Sequence, residues 1–296
     1  MSVRIGTRGS KLALAQTSAV CKMLSARNID ARQVIITTHG DSKTGVPLHE
    51  IGGQGVFVRA LDDAILAGTI DCAVHSMKDI PAYRPSGLVT TAVLKRDSAA
   101  DYLAYQGSLD AVRVIGTSST RRRAQILRHD PGITIKDLRG NVDTRIRKMA
   151  AGEFNAIIVA EAGLVRLGIR IHGDRLPPEK FVPAPNQGTI AVVSRADPSL
   201  MEELSALDHT QTRTDVAVER AVMEQLGGGC YTPLGIYCCA GHLIAEVISL
   251  DGKRTERIET DVQTIEQARK QGKQLHIQAR DLIADAYRKL GIKYER

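Results

Sequence analysis

Apolar and polar positions along the first two-thirds of the chain alternate in the rhythm of short buried strands followed by helices. The spacing predicts strands over residues 3–6, 33–38, 71–76 and 88–94, with helices over 10–27 and 57–67. Residues 39–55, rich in Gly and polar side chains, read as a long loop of the kind that serves as a lid or binding segment. The Pro-rich stretch 176–188 (LPPEKFVPAPNQG) reads as a second loop, followed by a strand over 189–194 and a helix over 198–207. Residues 212–226 form an amphipathic helical pattern through Val216, Val218, Val222 and Leu226, stopped by Gly227-Gly228-Gly229. The pattern then changes. Segments 236–240, 242–250 and 254–260 read as an antiparallel set with a turn at Asp251-Gly252, closed by a helix over 265–290. The chain therefore predicts α/β architecture followed by a smaller α+β domain.

The α/β pattern restarts part-way. Arg4-Ile5-Gly6-Thr7, then Ser10 and a helix, matches Val114-Ile115-Gly116-Thr117, then Ser118-Ser119 and a helix; Ala15-Gln16 matches Ala124-Gln125. Gly68-Thr69-Ile70-Asp71-Cys72-Ala73-Val74 matches Gly152-Glu153-Phe154-Asn155-Ala156-Ile157-Ile158. Two similarly built α/β domains follow from this, with the cleft between them as the expected ligand site. The expected boundaries are 1–94 with 189–208, then 95–188, then 209–296.

A length of 296 residues suits two or three domains, and 43% hydrophobic with 25% charged residues is ordinary for a globular protein. The absence of Trp and 3% aromatic content disfavour a base-stacking nucleic-acid binder. No zinc-finger, RNP, helix-turn-helix or Walker A pattern is present, and no paired Cys-x-x-Cys or HExxH pattern points to a metal. The N-terminal residues lack a signal-peptide apolar core, and no run is long enough to span a bilayer, so a cytoplasmic protein is expected. Five cysteines (Cys21, Cys72, Cys230, Cys238, Cys239) argue against a disulfide framework and leave room for one reactive thiol.

The net charge of +7 changes the picture through its placement. Arg8, the run Arg121-Arg122-Arg123, Arg139, Arg145, Arg147 and Arg166 gather at strand-to-helix turns, where backbone N–H groups already favour anions. Arginine at a helix start opposes the helix dipole, which makes a purely structural role less attractive, although a solvated basic face remains the bland alternative. Lys78 and Asp79 end a buried strand, either as working residues at a cleft or as an exposed turn before Pro81. Cys230 follows three glycines and reads as an accessible thiol or a packed one; Cys238-Cys239 reads as structural.

Several motifs occur in one order. They are Thr7-Arg8-Gly9-Ser10, Gly53-Gln54-Gly55-Val56-Phe57-Val58, His75-Ser76-Met77-Lys78-Asp79-Ile80-Pro81, Gly116-Thr117-Ser118-Ser119-Thr120-Arg121-Arg122, Leu138-Arg139-Gly140-Asn141-Val142, Ala162-Gly163-Leu164, Gln187-Gly188 and Gly228-Gly229-Cys230-Tyr231-Thr232-Pro233. Together they resemble the porphobilinogen deaminase (hydroxymethylbilane synthase) family across nearly the whole chain. The resemblance implies two type II periplasmic-binding-protein-like domains plus a smaller α+β C-terminal domain. It implies a monomer that joins four porphobilinogens head to tail, with loss of ammonia, onto a dipyrromethane held by thioether to Cys230, and then releases hydroxymethylbilane. It assigns catalysis to Asp79. Contacts to the cofactor fall to Lys78, Ser119, Arg121, Arg122, Arg139, Gly140, Ala160 and Gly163. Contacts to substrate or the growing polypyrrole chain fall to Arg8, Ser10, Arg145 and Arg166, with Gln16 and Gln187 as weaker assignments. Nucleic acid, membrane and metal are not expected partners.

The chain departs from the family at Glu50, Gln54 and Arg59, where lysines are common, which weakens the charge logic of a lid there. A non-catalytic anion-binding protein of the same two-domain form would explain the arginines but not a reactive cysteine in a third domain.

Overall fold

The computed structural model describes residues 2–37, 56–81, 84–227 and 232–292. By their internal contacts they form two compact units, Met1–Asp97 with Gly188–Arg213, and Ser98–Gln187 with Thr214–Arg296.

The first unit holds a five-stranded sheet of β1 (Val3–Thr7), β2 (Ala31–Ile35), β3 (Cys72–Ser76), β4 (Leu88–Val93) and a late strand, Ile190–Arg195, in the order β2-β1-β3-late-β4. The first three run parallel, and the late strand lies antiparallel between β3 and β4. β3 is CAVHS, almost wholly buried, as expected for a central strand covered on both faces. Helix α1 (Lys11–Ser25) is started by Ser10, whose hydroxyl accepts the Ala13 N–H, and sends Val20 and Leu24 into the core with Ile5, Val74 and Val192. Helix α2 (Val56–Leu66) buries Leu61 and Ile65.

The second unit repeats the plan with β5 (Asp101–Tyr105), β6 (Val114–Gly116), β7 (Thr134–Lys136), β8 (Ala156–Ala160) and β9 (Gly173–Leu176), in the order β7-β6-β8-β5-β9. Here β6 is parallel to β7 and β8, and β5 is the antiparallel insert. Register makes the repeat exact in sequence terms. Ile5 pairs with Cys72 and Gly6 with Ala73; Ile115 pairs with Ala156 and Gly116 with Ile157. These are the matched positions of the internal repeat. A Cβ on Gly6 would lie 2.2 Å from Ile70, and one on Gly116 would lie 2.8 Å from Phe154, which occupies the corresponding position. Both glycines are therefore fixed by the same close approach of a buried side chain.

Helices α3 (Thr120–His129), α4 (Val142–Ala150) and α5 (Glu161–Leu167) follow β6, β7 and β8. Counting along the chain, the late strand of the first sheet is β10. It is followed by α6 (Pro198–Ser205), opened by Asp197, and by α7 (Thr210–Leu226). The C-terminal part is an antiparallel sheet of β11 (Leu234–Cys239), β12 (His242–Ile248) and β13 (Thr255–Asp261) with the long α8 (Ile265–Leu290), which starts on a Thr264–Gln267 capping box. Val222 and Leu226 of α7, Ile236, Leu243 and Val247 of the sheet, and Leu275 and Ile283 of α8 make one core. The expected architecture, two similarly built α/β sheets with a smaller α+β part, is the observed one.

Three sequence expectations need correction. Residues 101–105 and 173–176 were not foreseen as strands, because neither shows the strand-then-helix rhythm; both are antiparallel partners of β8 or β5. The second strand begins at Ala31 rather than at 33. Cys238 is buried, but Cys239 is exposed, since neighbours on a strand face opposite ways. Residue 39–55 loop expectations, and the thiol of Cys230, lie outside the described residues.

Among the described residues no helix is long and apolar enough to cross a membrane, and no group of three or more His, Cys, Asp or Glu side chains could hold a metal.

Candidate functional site

Arg8, Ser10, Lys78, Asp79, Ser119, Arg139, Gly140 and Ala160 fall at or just beyond the C-terminal ends of the parallel strands, the end where α/β sheets place working groups, while Arg121, Arg122, Arg145, Gly163 and Arg166 lie on the helices that follow. In the first unit, Arg8 and Ser10 follow β1, and Lys78 and Asp79 lie in a short 3-10 turn (Met77–Asp79) after the adjacent β3. Gln16 ties the two together, its Nε2 donating to Ser76 Oγ at 2.8 Å. Lys78 and Asp79 are exposed. No hydrogen bond or ion pair engages the Asp79 carboxylate among the described residues, so it is available to a ligand. His75, one turn back on β3, is buried, and burial together with the charges of Arg84 and Arg8 pushes its pKa down to about 3. It is a neutral imidazole at physiological pH, with Nε2 unpaired among the described residues.

In the second unit, Ser119 caps α3 by accepting the Arg122 N–H, and Ser118 Oγ donates to the Leu138 carbonyl at 3.0 Å, joining the β6 and β7 loops. Gly140 has φ +113°, and a Cβ there would lie 2.8 Å from Thr144, so this turn requires glycine. Its carbonyl accepts Arg145 Nε at 2.7 Å. Arg139 is exposed, and Arg166 lies in the last turn of α5. Ala160 ends β8 directly opposite Asp101 in the ladder, and Gly163 is buried in α5.

Arg121 and Arg122 are not on a solvated face. They are 5% and 6% exposed and share the fully buried Asp101. Arg121 Nη2 donates to Asp101 Oδ2 at 2.8 Å, and Arg122 Nη2 donates to Oδ1 at 2.6 Å. Their other contacts are backbone carbonyls, Val182 for Arg121 and Ile158 for Arg122. Arginine at this helix start is structurally sound, contrary to the expectation from the helix dipole, because Asp101 supplies the compensating charge. Burial would raise the Asp101 pKa; the charges of Arg121 and Arg122, with hydrogen bonds from Arg122 and Gln187, overcome it and hold the group well below the usual carboxylate range. Asp101 escaped the sequence reading. Its only signal is an acid at the first position of the otherwise buried strand DYLAY.

One carboxylate does not balance this corner. Arg145 forms no ion pair among the described residues, and burial followed by the charge of nearby Arg122 lowers its pKa to about 10. Among the described residues, Arg121 and Arg122 are met by Asp101, while Glu246, the other buried carboxylate felt by Arg121, is already paired with Arg128 and Arg257. The positive excess that remains, Arg145 included, is one an anionic ligand would neutralise.

Residues 3–203 match the family model "Porphobilinogen deaminase, dipyromethane cofactor binding domain", and residues 214–281 match "Porphobilinogen deaminase, C-terminal domain". The chain belongs to the porphobilinogen deaminase family. It is 50% identical to the probable porphobilinogen deaminase of Methanosarcina acetivorans, over 92% of this chain and 90% of that protein. It is 44% identical to the probable enzyme of Archaeoglobus fulgidus (93% and 98% covered) and 43% identical to the porphobilinogen deaminase of Rubrobacter xylanophilus (84% and 85%). Among solved structures, a periplasmic substrate-binding protein of an ABC transporter from Coxiella burnetii is similar at TM-score 0.43 and 14% identity, over 74% of this chain and 96% of that one. As a porphobilinogen deaminase the chain polymerises porphobilinogen in tetrapyrrole biosynthesis and uses a dipyrromethane cofactor.

Proposed function

We propose that two sets of residues in this chain divide the work, one holding the cofactor and the other the substrate. Arg121, Arg122 and Ser119, with Lys78, Arg139, Gly140, Ala160 and Gly163, hold the dipyrromethane tethered to Cys230. Arg8, Ser10, Arg145 and Arg166 hold the carboxylates of porphobilinogen and of the growing chain. The observation that carries this reading is the positive excess around Asp101: Arg121 and Arg122 share that one carboxylate, Arg145 beside Arg122 has no ion pair among the described residues, and nearby Glu246 is taken by Arg128 and Arg257. Every pyrrole unit bears an acetate and a propionate, so a pyrrole chain is a polyanion suited to that corner.

When bound, dipyrromethane supplies the pyrrole carbon onto which four porphobilinogens are joined head to tail. Asp79 performs the electrostatic part of the chemistry. Its carboxylate, free of protein partners among the described residues, accepts a pyrrole N–H of porphobilinogen and stabilises the positive charge that develops as ammonia leaves. The arginines act by binding and orientation, each guanidinium matching a carboxylate with two parallel N–H groups. His75 does not move protons near neutral pH, because its depressed pKa keeps it unprotonated. In this reading the enzyme is a cytoplasmic monomer that needs no nucleic acid, membrane or metal.

The intact mass of the purified chain tests the tether. Wild type is expected to exceed its sequence mass by two pyrrole units, and Cys230→Ser to show the bare mass. A fully folded wild-type chain of bare mass after incubation with porphobilinogen overturns the reading.

A further inference from the structure

Asp101 sits at the first position of β5, opposite Ala160, and is fully buried. Its two oxygens hold different partners. Oδ2 accepts Arg121 Nη2 at 2.8 Å; Oδ1 accepts Arg122 Nε at 3.2 Å, Arg122 Nη2 at 2.6 Å and Gln187 Nε2 at 2.9 Å. Gln187 is itself anchored, donating also to the Ala99 carbonyl at 2.8 Å. A guanidinium carries five N–H bonds. Beyond the bonds to Asp101, Val182 and Ile158, each of these arginines therefore keeps N–H bonds to spare, aimed by the ones already made.

We infer that Asp101 is a positioning residue for the cofactor: it locks the Arg121 and Arg122 guanidinium groups in the orientation that presents their remaining N–H bonds to the dipyrromethane carboxylates, and Gln187 holds Asp101 in turn. This rests on the assignment of those two arginines to the cofactor.

The internal repeat offers the same scaffold with uncharged residues at these positions. Matching Ala15-Gln16 to Ala124-Gln125 places Leu12 and Ala13 at the positions of Arg121 and Arg122. The helix caps agree, because Ser10 accepts the Ala13 N–H where Ser119 accepts the Arg122 N–H. The ladders place Ile190, opposite Ser76, at the position of Asp101, opposite Ala160. The matched positions thus carry half-buried Leu12 and Ala13 with buried Ile190 in one unit, and buried Arg121, Arg122 and Asp101 in the other. A buried charged trio with one net positive charge, where an apolar trio serves the same scaffold, points to a ligand rather than to stability.

Asp101→Asn tests the inference, since it keeps size and one acceptor while removing the charge. The readouts are the fraction of purified chain bearing two extra pyrrole units, and KM against maximal rate for acquiring them from porphobilinogen, taken well below the variant's own Tm. The expected result is a folded chain whose KM for cofactor acquisition rises at least about tenfold, as small misplacements of a binding group do, with a smaller change in maximal rate. A folded Asp101→Asn chain with wild-type loading and KM overturns it.

Where Asp101→Asn does not fold, Gln187→Leu carries the test without unbalancing charge. A rise in KM is expected, and unchanged KM and loading overturn the inference. Arg121→Lys and Arg122→Lys separate it from the reading beneath it. If these load and turn over as wild type, the arginines do not hold the cofactor and the assignment itself falls. If they lose loading while a folded Asp101→Asn does not, only the positioning role falls.

Discussion

In the first sheet, the strand-end positions defined by the internal repeat carry Leu12, Ala13 and Ile190; in the second, the same positions carry Arg121, Arg122 and Asp101. The scaffold beneath is shared down to the glycines, Gly6 and Gly116, that admit Ile70 and Phe154. The contrast reverses three positions beyond the ends of β3 and β8, in the 3-10 turn of one unit and in α5 of the other. Asp79 stands in the first unit where Gly163 stands in the second. The first unit thus offers an unpaired carboxylate and the second a surplus of guanidinium groups. The lesson is that packing dictates the residues both halves keep, and that charge diverges at the matched positions only where buried partners diverge with it. It diverges as a set. An apolar set needs no partner, and Asp101 offsets part of the charge of Arg121 and Arg122, whereas removing Asp101 alone leaves both buried cations uncompensated.

The sharpest way to break the comparison is to give the first unit the second's residue. Asp79→Gly, with Asp79→Asn as the isosteric control, is expected to lower turnover of porphobilinogen by about 10² or more, the scale seen when a group stabilising transition-state charge is removed. The far-UV signal and Tm should hardly move, because the side chain is exposed and makes no hydrogen bond or ion pair among the described residues. Turnover within a few-fold of wild type in both variants removes Asp79 from the chemistry.

Next comes the set rule. Asp101→Leu alone should cost about 3–5 kcal/mol of stability in urea denaturation, the penalty for stranding buried cations. The triple change Asp101→Ile, Arg121→Leu, Arg122→Ala copies the first unit and should recover most of that loss while still failing to acquire the cofactor. A triple variant no more stable than the single one means that the two strand ends are not interchangeable.

Much of this was legible in the sequence. The repeat pairs Gly6 with Gly116 and Cys72 with Ala156 by letter alone, and the ladder registers align the same residues. Local signals served as well: Ser10 and Ser119 act as caps, and α8 spans the predicted 265–290. The antiparallel strands β5 and β9 were hidden because their partners are distant in sequence and no helix follows them in the strand-helix rhythm. The Arg121–Arg122–Asp101 corner was half-visible. The arginines announce themselves, but their partner lies about twenty residues earlier in another strand, and only the fold brings a lone acid onto them. The same holds for His75, whose neutrality comes from burial and from Arg84 and Arg8, none of which a sequence pattern reports.

The shared glycines sharpen the comparison at a smaller scale. Gly6→Ala and Gly116→Ala each place a methyl against a buried neighbour, at 2.2 Å from Ile70 and 2.8 Å from Phe154. Overpacking of this kind costs about 1–3 kcal/mol. Both variants should therefore lose stability by similar amounts in chemical denaturation, with cofactor loading retained at low temperature. A neutral Gly116→Ala beside a destabilised Gly6→Ala would show that the second sheet has slack the first lacks.

The smallest effect lies at His75, whose counterpart in the second sheet is Val159. Folding buries the imidazole neutral, so its pKa falls from 6.5 to about 3. The unfolded chain takes up a proton below pH 6.5 while the folded one does not. The stability that His75 contributes is therefore intact above that pH and is lost progressively as pH falls from 6.5 toward 3, by at most about 1.4 kcal/mol per pH unit. His75→Val copies the second sheet, removes the orphaned Nε2 and abolishes this one-proton dependence. Urea denaturation of both proteins at pH 7.5 and pH 5.5 reads it directly. The difference between variant and wild type should move toward the variant by about 1 kcal/mol on acidification. A pH-independent difference would mean that His75 protonates freely in the fold, and that the first sheet's interior is wetter than its neighbours imply.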